Sequence, residues 1–187
     1  MNEKVLKFKE GIFSLNTRRF GKIAELMIKE LYNFHDPLNV AYDLLTKDGN
    51  KVEVKFSTVL RKCNSVINSE NVIKEIIASK LENRILTFEN AKTANFDCNI
   101  QQVKPSEFDV LYYGCFFDDK IMICKINSSE IINDPEIMYS NHQHRGNTGE
   151  GQFHINSSTM NAHMNKYLVE WLTYEELYTL FMKKASL

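Results

Sequence analysis

Apolar positions along this 187-residue chain alternate between helix-type and strand-type spacing. From about Asn16 to Asn33, apolar residues recur every three to four positions, which predicts a helix with one buried stripe. Ser14, Asn16 and Thr17 offer oxygens that could cap its first turn. The same spacing predicts a second helix over residues 71–83.

Strand-type segments separate and follow these helices. Two short runs flank the turn at Asp48-Gly49, Phe108–Phe117 is apolar almost throughout, and a further strand is predicted over 121–126. A nearly continuous apolar run is expected for a strand that is covered on both faces. Residues 139–158 are polar and contain several glycines, so we expect a long loop there.

These segments predict a single domain over residues 1–187, in the α/β (α+β) class, with a central mixed β-sheet flanked by helices. Thr173-Tyr-Glu-Glu176 is a capping box that should open a C-terminal helix. The composition is that of a globular protein, with 43% hydrophobic and 25% charged residues. The net charge is −1, so any nucleic-acid binding must depend on a local basic patch.

The cysteines and the N-terminal residues favour a location in the cytoplasm. Cys63, Cys98, Cys115 and Cys124 form no C-x-x-C pair, so we expect reduced thiols and neither a disulfide framework nor a zinc site. The first residues lack the apolar segment of a signal peptide, and no apolar run approaches transmembrane length. The sequence therefore predicts a cytoplasmic protein without a membrane partner.

The candidate chemistry lies around the predicted hairpin. Side chains alternate along a strand, so Glu53 and Lys55 share one face while Val54 faces the other way. A two-residue turn would pair Asp43 with Val54, on the wrong face. A three-residue loop with Gly49 in a left-handed conformation, or a bend at Asp43, would instead bring Asp43 beside Glu53 or Lys55.

A helix, a hairpin with D…E-x-K, a second helix and two further strands together resemble the PD-(D/E)XK nuclease superfamily over about residues 16–126. The first helix adds to this, since Gly21-Lys-Ile-Ala-Glu25 followed by Leu31 resembles the G-x-x-A-E…L helix that often precedes the hairpin there. Ala41-Tyr42 precedes Asp43 where the family name has proline. The short format resembles a type II restriction endonuclease with a restriction-endonuclease-like core.

The resemblance implies roles for the hairpin residues. Asp43 and Glu53, with the backbone carbonyl of Val54, would ligate Mg²⁺, for which Mn²⁺ could substitute. Lys55 would hold the attacking water and offset negative charge. Glu25 is a further catalytic candidate, although it could equally be a surface glutamate. The implied partner is double-stranded DNA, cut to 5′-phosphate and 3′-hydroxyl ends by a homodimer at a palindromic site.

Residues that could contact DNA fall into two groups. The first group could also be a solvated basic face, and the second a polar surface loop or a subunit contact. Basic residues that could bind phosphates without reading sequence are Arg18, Arg19, Lys22, Arg61 and Lys62. Residues of the C-terminal part, 127–187, that could read base edges are Gln143, His144, Arg145, Asn147, Gln152, His154 and Asn156.

Other functions stay open from the sequence alone. They are a structure-specific or repair nuclease such as a junction resolvase, a non-catalytic DNA-binding module on a degenerate nuclease fold, and an RNA or nucleotide enzyme on an unrelated fold. Four of the five histidines lie close together in the C-terminal part, but their spacing matches neither H-E-x-x-H nor a zinc finger.

Overall fold

The computed structural model describes residues 2–62, 65–142 and 148–185, and these form a mixed α/β fold with a mixed central sheet flanked by helices. The helices are α1 (Glu3–Phe13), α2 (Thr17–Tyr32), α3 (Val72–Ala78), α4 (Leu81–Arg84), α5 (Phe88–Ala91), α6 (Ser128–Asn133), α7 (Met160–Tyr167) and α8 (Tyr174–Ala185). The strands are β1 (Leu44–Leu45), β2 (Lys51–Thr58), β3 (Leu60–Arg61), β4 (Phe96–Val103), β5 (Val110–Phe116), β6 (Lys120–Asn127), β7 (Ser140–His142), β8 (Thr148–Asn156) and β9 (Leu168–Thr173).

The central sheet has the strand order β1-β2-β5-β6-β9. The pair β2 and β5 is parallel, and the other neighbours are antiparallel. Every residue of β5 is buried, which confirms the prediction of a strand covered on both faces. One face of the sheet packs on α1, α2 and α8. The other face packs on a second sheet and on residues of α5, α6 and α7.

The second sheet has the order β3-β4-β8-β7 and is antiparallel throughout. Phe153 and Ile155 of β8 turn into the shared core, while Gln152, His154 and Asn156 alternate with them. The prediction of a long loop over 139–158 is therefore wrong in its described part. The β8 residues that alternate with this core are polar, with Gln152 buried and His154 and Asn156 partly exposed, and they account for the composition that suggested a loop. Residues 143–147 lie outside the described residues.

The α2 helix confirms the first predicted element within one residue at each end. The Asn16 side chain accepts a hydrogen bond from the backbone N–H of Arg19 at 3.1 Å, so Asn16 is the N-cap. Asn33 ends the helix in a left-handed conformation. Ala24, Met27 and Ile28 form the buried part of its apolar stripe. This face fixes α2 against β2, so that the helix lies beside the hairpin.

The C-terminal helix also begins as predicted. The backbone N–H of Thr173 donates to the Glu176 carboxylate at 2.7 Å, and the Glu176 N–H donates to the Thr173 hydroxyl at 3.2 Å. The predicted helix over 71–83 is divided into α3 and α4, and Ile73, Ile76 and Ile77 of α3 are exposed. Helix α1 and strand β9 had no counterpart among the predicted elements.

The cysteines and the helices bear on two expectations, those of reduced thiols and of no transmembrane segment. Cys98, Cys115 and Cys124 are free and buried, in agreement with the prediction of unpaired thiols, while Cys63 lies outside the described residues. Within the described ranges, no helix combines the length and the apolar character that crossing a membrane requires.

His163 of α7 is a buried titratable group between the two sheets. Its side chain is 1% exposed, its Nδ1 lies 2.9 Å from the Tyr113 hydroxyl, and its ring stacks on Phe153. Nε2 has no hydrogen-bond partner among the described residues. Burial lowers the pKa of His163 from 6.5 to about 4. The ring is therefore held in its neutral form.

This histidine should make the protein sensitive to acid. In the unfolded chain this histidine takes up a proton at about pH 6.5. The stability that the neutral His163 contributes is therefore complete above that pH and is lost as the pH falls toward 4. Between about pH 7 and about pH 5 the loss should be about 2 kcal/mol. We expect His163→Gln to lose about 2 kcal/mol less than the wild type over that interval in urea unfolding. Equal losses in the two proteins would contradict this.

Candidate functional site

A three-residue loop joins the two strands of the hairpin. The backbone N–H of Thr46 donates to the Asn50 carbonyl at 3.0 Å, which leaves Lys47-Asp48-Gly49 as the loop. Gly49 has a φ of 84°, a conformation that glycine adopts without steric cost. The register pairs Leu44 with Val52. The loop with Gly49 in the left-handed position, one of the two irregularities that the site needs, is confirmed.

This loop brings Asp43 beside Glu53. Asp43 lies in a bend just before β1. Its backbone N–H donates to the Val52 carbonyl at 3.0 Å, and its Oδ2 accepts from the Val54 N–H at 2.9 Å. Asp43 is thus bonded to the β2 backbone on both sides of Glu53, which fixes the position of its carboxylate.

Lys55 lies between the two carboxylates. Its Nζ donates a short hydrogen bond to Glu53 Oε1 and lies 3.7 Å from Asp43 Oδ2. The side chains of Glu53, Asp43 and Lys55 are 12%, 21% and 24% exposed. The three charges predicted from sequence therefore meet in one mostly buried cluster that opens to solvent on one side.

The cluster carries more negative charge than its single lysine can balance. Burial raises the pKa of the Glu53 carboxyl well above its usual range; Lys55 opposes that shift, and the nearby Asp43 charge adds to it. A buried pair of carboxylates of this kind is stabilised by an additional cation. The electrostatics of the site therefore favour a bound positive ion. Without such an ion, they disfavour the approach of a further negative group.

Glu25 extends the cluster on the side of α2. Its side chain is 20% exposed, and it accepts a hydrogen bond from Lys22 at 2.5 Å. Burial raises the pKa of Glu25, while the Lys22 hydrogen bond acts against that shift. Glu25 lines a hollow with Asp43 and a second hollow with Lys55. Its carboxylate thus faces the site, as a third acidic group and not as an isolated surface residue.

The donor set at the site suits a hard cation. Among residues 2–62, 65–142 and 148–185, no group of three or more His, Cys, Asp or Glu side chains is arranged to hold a metal ion. An ion here would be held by Asp43 and Glu53, with backbone and water oxygens completing its coordination. Few carboxylates and several retained waters are the arrangement that Mg²⁺ prefers.

Two hollows adjoin Lys55 and are lined by residues of the central sheet and of β4. The larger, about 590 Å³, is lined by residues that include Arg18, Ser57, Asn99, Gln101 and Gln102. The smaller, about 270 Å³, is lined by residues that include Asp43, Glu53, Gln102, Lys104 and Glu150. Lys55 and Gln102 line both hollows. We refer to the two hollows together as the catalytic cleft, after the role proposed for them below.

The basic residues predicted to bind phosphates are only partly gathered at the catalytic cleft. Arg18 lines it, and Lys22 lines the hollow beside Asp43 while bonded to Glu25. Arg19 and Arg61 are exposed elsewhere. Lys62 lies 3.6 Å from Asp97 on the second sheet. Arg18 and Lys22 are therefore the predicted phosphate ligands that line the hollows around Asp43, Glu53 and Lys55.

Some of the predicted base-reading residues lie outside the described residues, and the others lie in β8. Gln143, His144, Arg145 and Asn147 lie outside the described residues. Gln152, His154 and Asn156 are all in β8, on the face turned away from the core. The Oδ1 of Asn156 already accepts hydrogen bonds from Ser158 and Thr159 before α7, so that oxygen is committed to the fold.

Sequence reasoning missed the polar face of β4. Asp97, Asn99 and Gln101 pair across the second sheet with Asn156, His154 and Gln152. Asn99 donates to Gln152 at 3.0 Å, and His154 Nδ1 lies 2.8 Å from Asp97. The signal was present, because polar residues 97, 99 and 101 alternate with apolar 96, 98 and 100.

Comparison with known proteins gives no relative from which a function could be transferred: no family model matches the chain, and no curated protein is similar to it. Function is therefore inferred from the geometry of the Asp43, Glu53 and Lys55 cluster and of the cleft beside it.

Proposed function

We propose that this protein is a Mg²⁺-dependent double-stranded DNA endonuclease of the type II restriction class, built on a restriction-endonuclease-like core. The observation that supports it is the cluster of Asp43, Glu53 and Lys55, held together by a three-residue loop and located in an open cleft. Two fixed carboxylates beside a lysine suit metal-assisted cleavage of a phosphodiester. The resemblance of the hairpin and α2 to the PD-(D/E)XK superfamily agrees with it.

Each residue of the cluster has a distinct role in the proposed reaction. Asp43 and Glu53, with the Val54 carbonyl, would hold the ion, which would polarise the phosphate and make a water more acidic. Asp43 is pre-positioned, because the Val54 N–H already fixes its Oδ2. Lys55 leaves Glu53 for the attacking water and offsets the negative charge that develops on the phosphate. Glu25 acts through water at the helix side.

The proposal extends to the substrate and the assembly. Arg18 contacts a phosphate beside the reacting one, since it lines the same cleft as Lys55. His154 contributes a base contact from the second sheet, whereas Gln152 is only 9% exposed and its Oε1 accepts a hydrogen bond from Asn99. A palindromic site requires two catalytic clusters related by a two-fold axis, so the active form is a homodimer.

Plasmid digestion tests the proposed function. The wild type is expected to give discrete bands with Mg²⁺ or Mn²⁺ and no cleavage when a chelator is added, with 5′-phosphate and 3′-hydroxyl ends. A smear would indicate cutting without sequence specificity, and cleavage of branched DNA alone would favour a structure-specific nuclease. No cleavage of any DNA by folded protein would contradict the nuclease proposal.

A further inference from the structure

Gln102 of β4 has an unusual backbone conformation for a strand residue. Its φ is 57°, and the pairing of β4 with β8 shifts by one residue between Gln101 and Val103. A positive φ is unfavourable for a residue with a Cβ, and bulges of this kind often redirect a side chain next to a functional site. The left-handed Asn33 has a structural reason, because it ends α2. Gln102 caps no helix.

The bulge directs Gln102 into the catalytic cleft. Strand β3 pairs with β4 only at Phe96 and Asp97, so the later part of that β4 edge faces β2 across the cleft. The side chain of Gln102 is exposed, and it lines the hollows on both sides of Lys55. It is thus a wall residue of both hollows that adjoin the cluster of Asp43, Glu53 and Lys55.

The chemistry of the wall around Gln102 favours a base edge as its partner. A phosphate only accepts hydrogen bonds and is attracted by cations, and Arg18 offers such a group in the same cleft. Lys104, two residues from Gln102, is occupied by Glu150 at 3.2 Å and Glu107 at 3.6 Å. An amide both donates and accepts, which matches the N6 and N7 positions of adenine.

We propose that Gln102 is a specificity-determining residue that reads an adenine in the nucleotides flanking the cut phosphate. The inference rests on the proposed function, since it needs a duplex in the catalytic cleft. The left-handed conformation places a donor and an acceptor in the cleft that Lys55 also lines. Gln101, beside it and paired with Gln152, connects this position to the polar face of the second sheet.

The test compares cleavage of a DNA library randomised around the cut by wild type, Gln102→Gly and Gln102→Glu. Glycine keeps the backbone conformation and removes the amide. We expect Gln102→Gly to lower the preference for adenine at one flanking position by about 10- to 100-fold. Gln102→Glu should shift that preference toward cytosine, because a carboxylate accepts from its N4 amino group. Met138→Gly is the matched control, since Met138 also has a positive φ, 52°, and is exposed.

Each other outcome has a definite meaning. If Gln102→Gly cuts every site more slowly with the same base preference, Gln102 affects the rate alone and the specificity role is overturned. An unchanged profile, or a wild type with no preference at any flanking position, overturns it as well. If the wild type cuts no DNA, the proposed function fails and this inference fails with it, whereas cutting with an unaltered Gln102→Gly profile rejects only the inference.

Discussion

Lys55→Ala is expected to lower the rate of DNA cleavage with Mg²⁺ by about 100- to 1,000-fold, the usual effect of removing one preorganised electrostatic group from an active site. Lys55 lies between Glu53 and Asp43, so in the proposed reaction no other described cation is as well placed to hold the water and offset charge at the phosphate. Asp43 remains fixed by the Val54 N–H in the variant. The rate is measured with supercoiled plasmid at saturating Mg²⁺.

A second measurement separates loss of chemistry from loss of the metal. Removing the lysine leaves both carboxylates and takes away a competing cation, so Lys55→Ala should bind Mn²⁺ at least as tightly as the wild type in calorimetry. Lys7→Ala is the matched control, because Lys7 is exposed on α1 and pairs only with Glu3 among the described residues. A Lys55→Ala protein that cuts at the wild-type rate would contradict the role given to this residue.

Gly114→Ala should destabilise the protein by at least about 3 kcal/mol, the upper part of the usual range for overpacking. Gly114 lies in β5 between Phe56 of β2 and Ile123 of β6. A Cβ at this position would lie 1.8 Å from the Met122 carbonyl oxygen and 2.8 Å from the Phe56 ring. The carbonyl belongs to a paired strand in the middle of the sheet, so it cannot move without breaking the ladder.

Urea unfolding of Gly114→Ala against Gly11→Ala measures this effect. Gly11 is exposed in α1, and a Cβ there meets nothing within 4 Å among the described residues. Alanine at Gly11 should therefore raise the free energy of unfolding by up to about 1 kcal/mol, through its helix propensity. Equal stabilities of Gly114→Ala and the wild type would show that the centre of the sheet can yield where we expect it to be rigid.

Local sequence patterns predicted those helices and strands whose conformation is determined by residues within the element itself. The stripe of α2, the apolar run of β5 and the Thr173 capping box are of this kind. The position of Asp43 was predicted only conditionally, since two- and three-residue loops both suit Asp48-Gly49. The choice depends on the bond from Thr46 to Asn50 and on how β1 and β2 bury their apolar sides, which no local pattern determines.

Most of the second sheet, apart from the strand expected at 101–103, was missed for a different physical reason. Its strands come from distant parts of the chain, and β4 and β8 alternate apolar with polar residues, so a single strand such as β8 resembles a polar loop. The left-handed conformation of Gln102 gave no sequence signal, because nothing about glutamine favours it. The wall of the catalytic cleft opposite Lys55 therefore could not be predicted, although the cluster itself could.

The strand that carries Glu53 and Lys55 continues through Val59 into the second sheet as β3. Val59 is fully buried, its N–H donates to the Phe116 carbonyl at 3.0 Å, and its carbonyl accepts from the Leu86 N–H at 3.1 Å. The wall formed by β2 is thus continuous in the chain with β3, the strand that pairs with β4 of the opposite wall, and Val59 joins the two. Because Val59 is buried and hydrogen-bonded through both its N–H and its carbonyl, the two walls are held at a set spacing at this end of the cleft, and a duplex would meet Lys55 at a distance from β4 that is fixed before it enters.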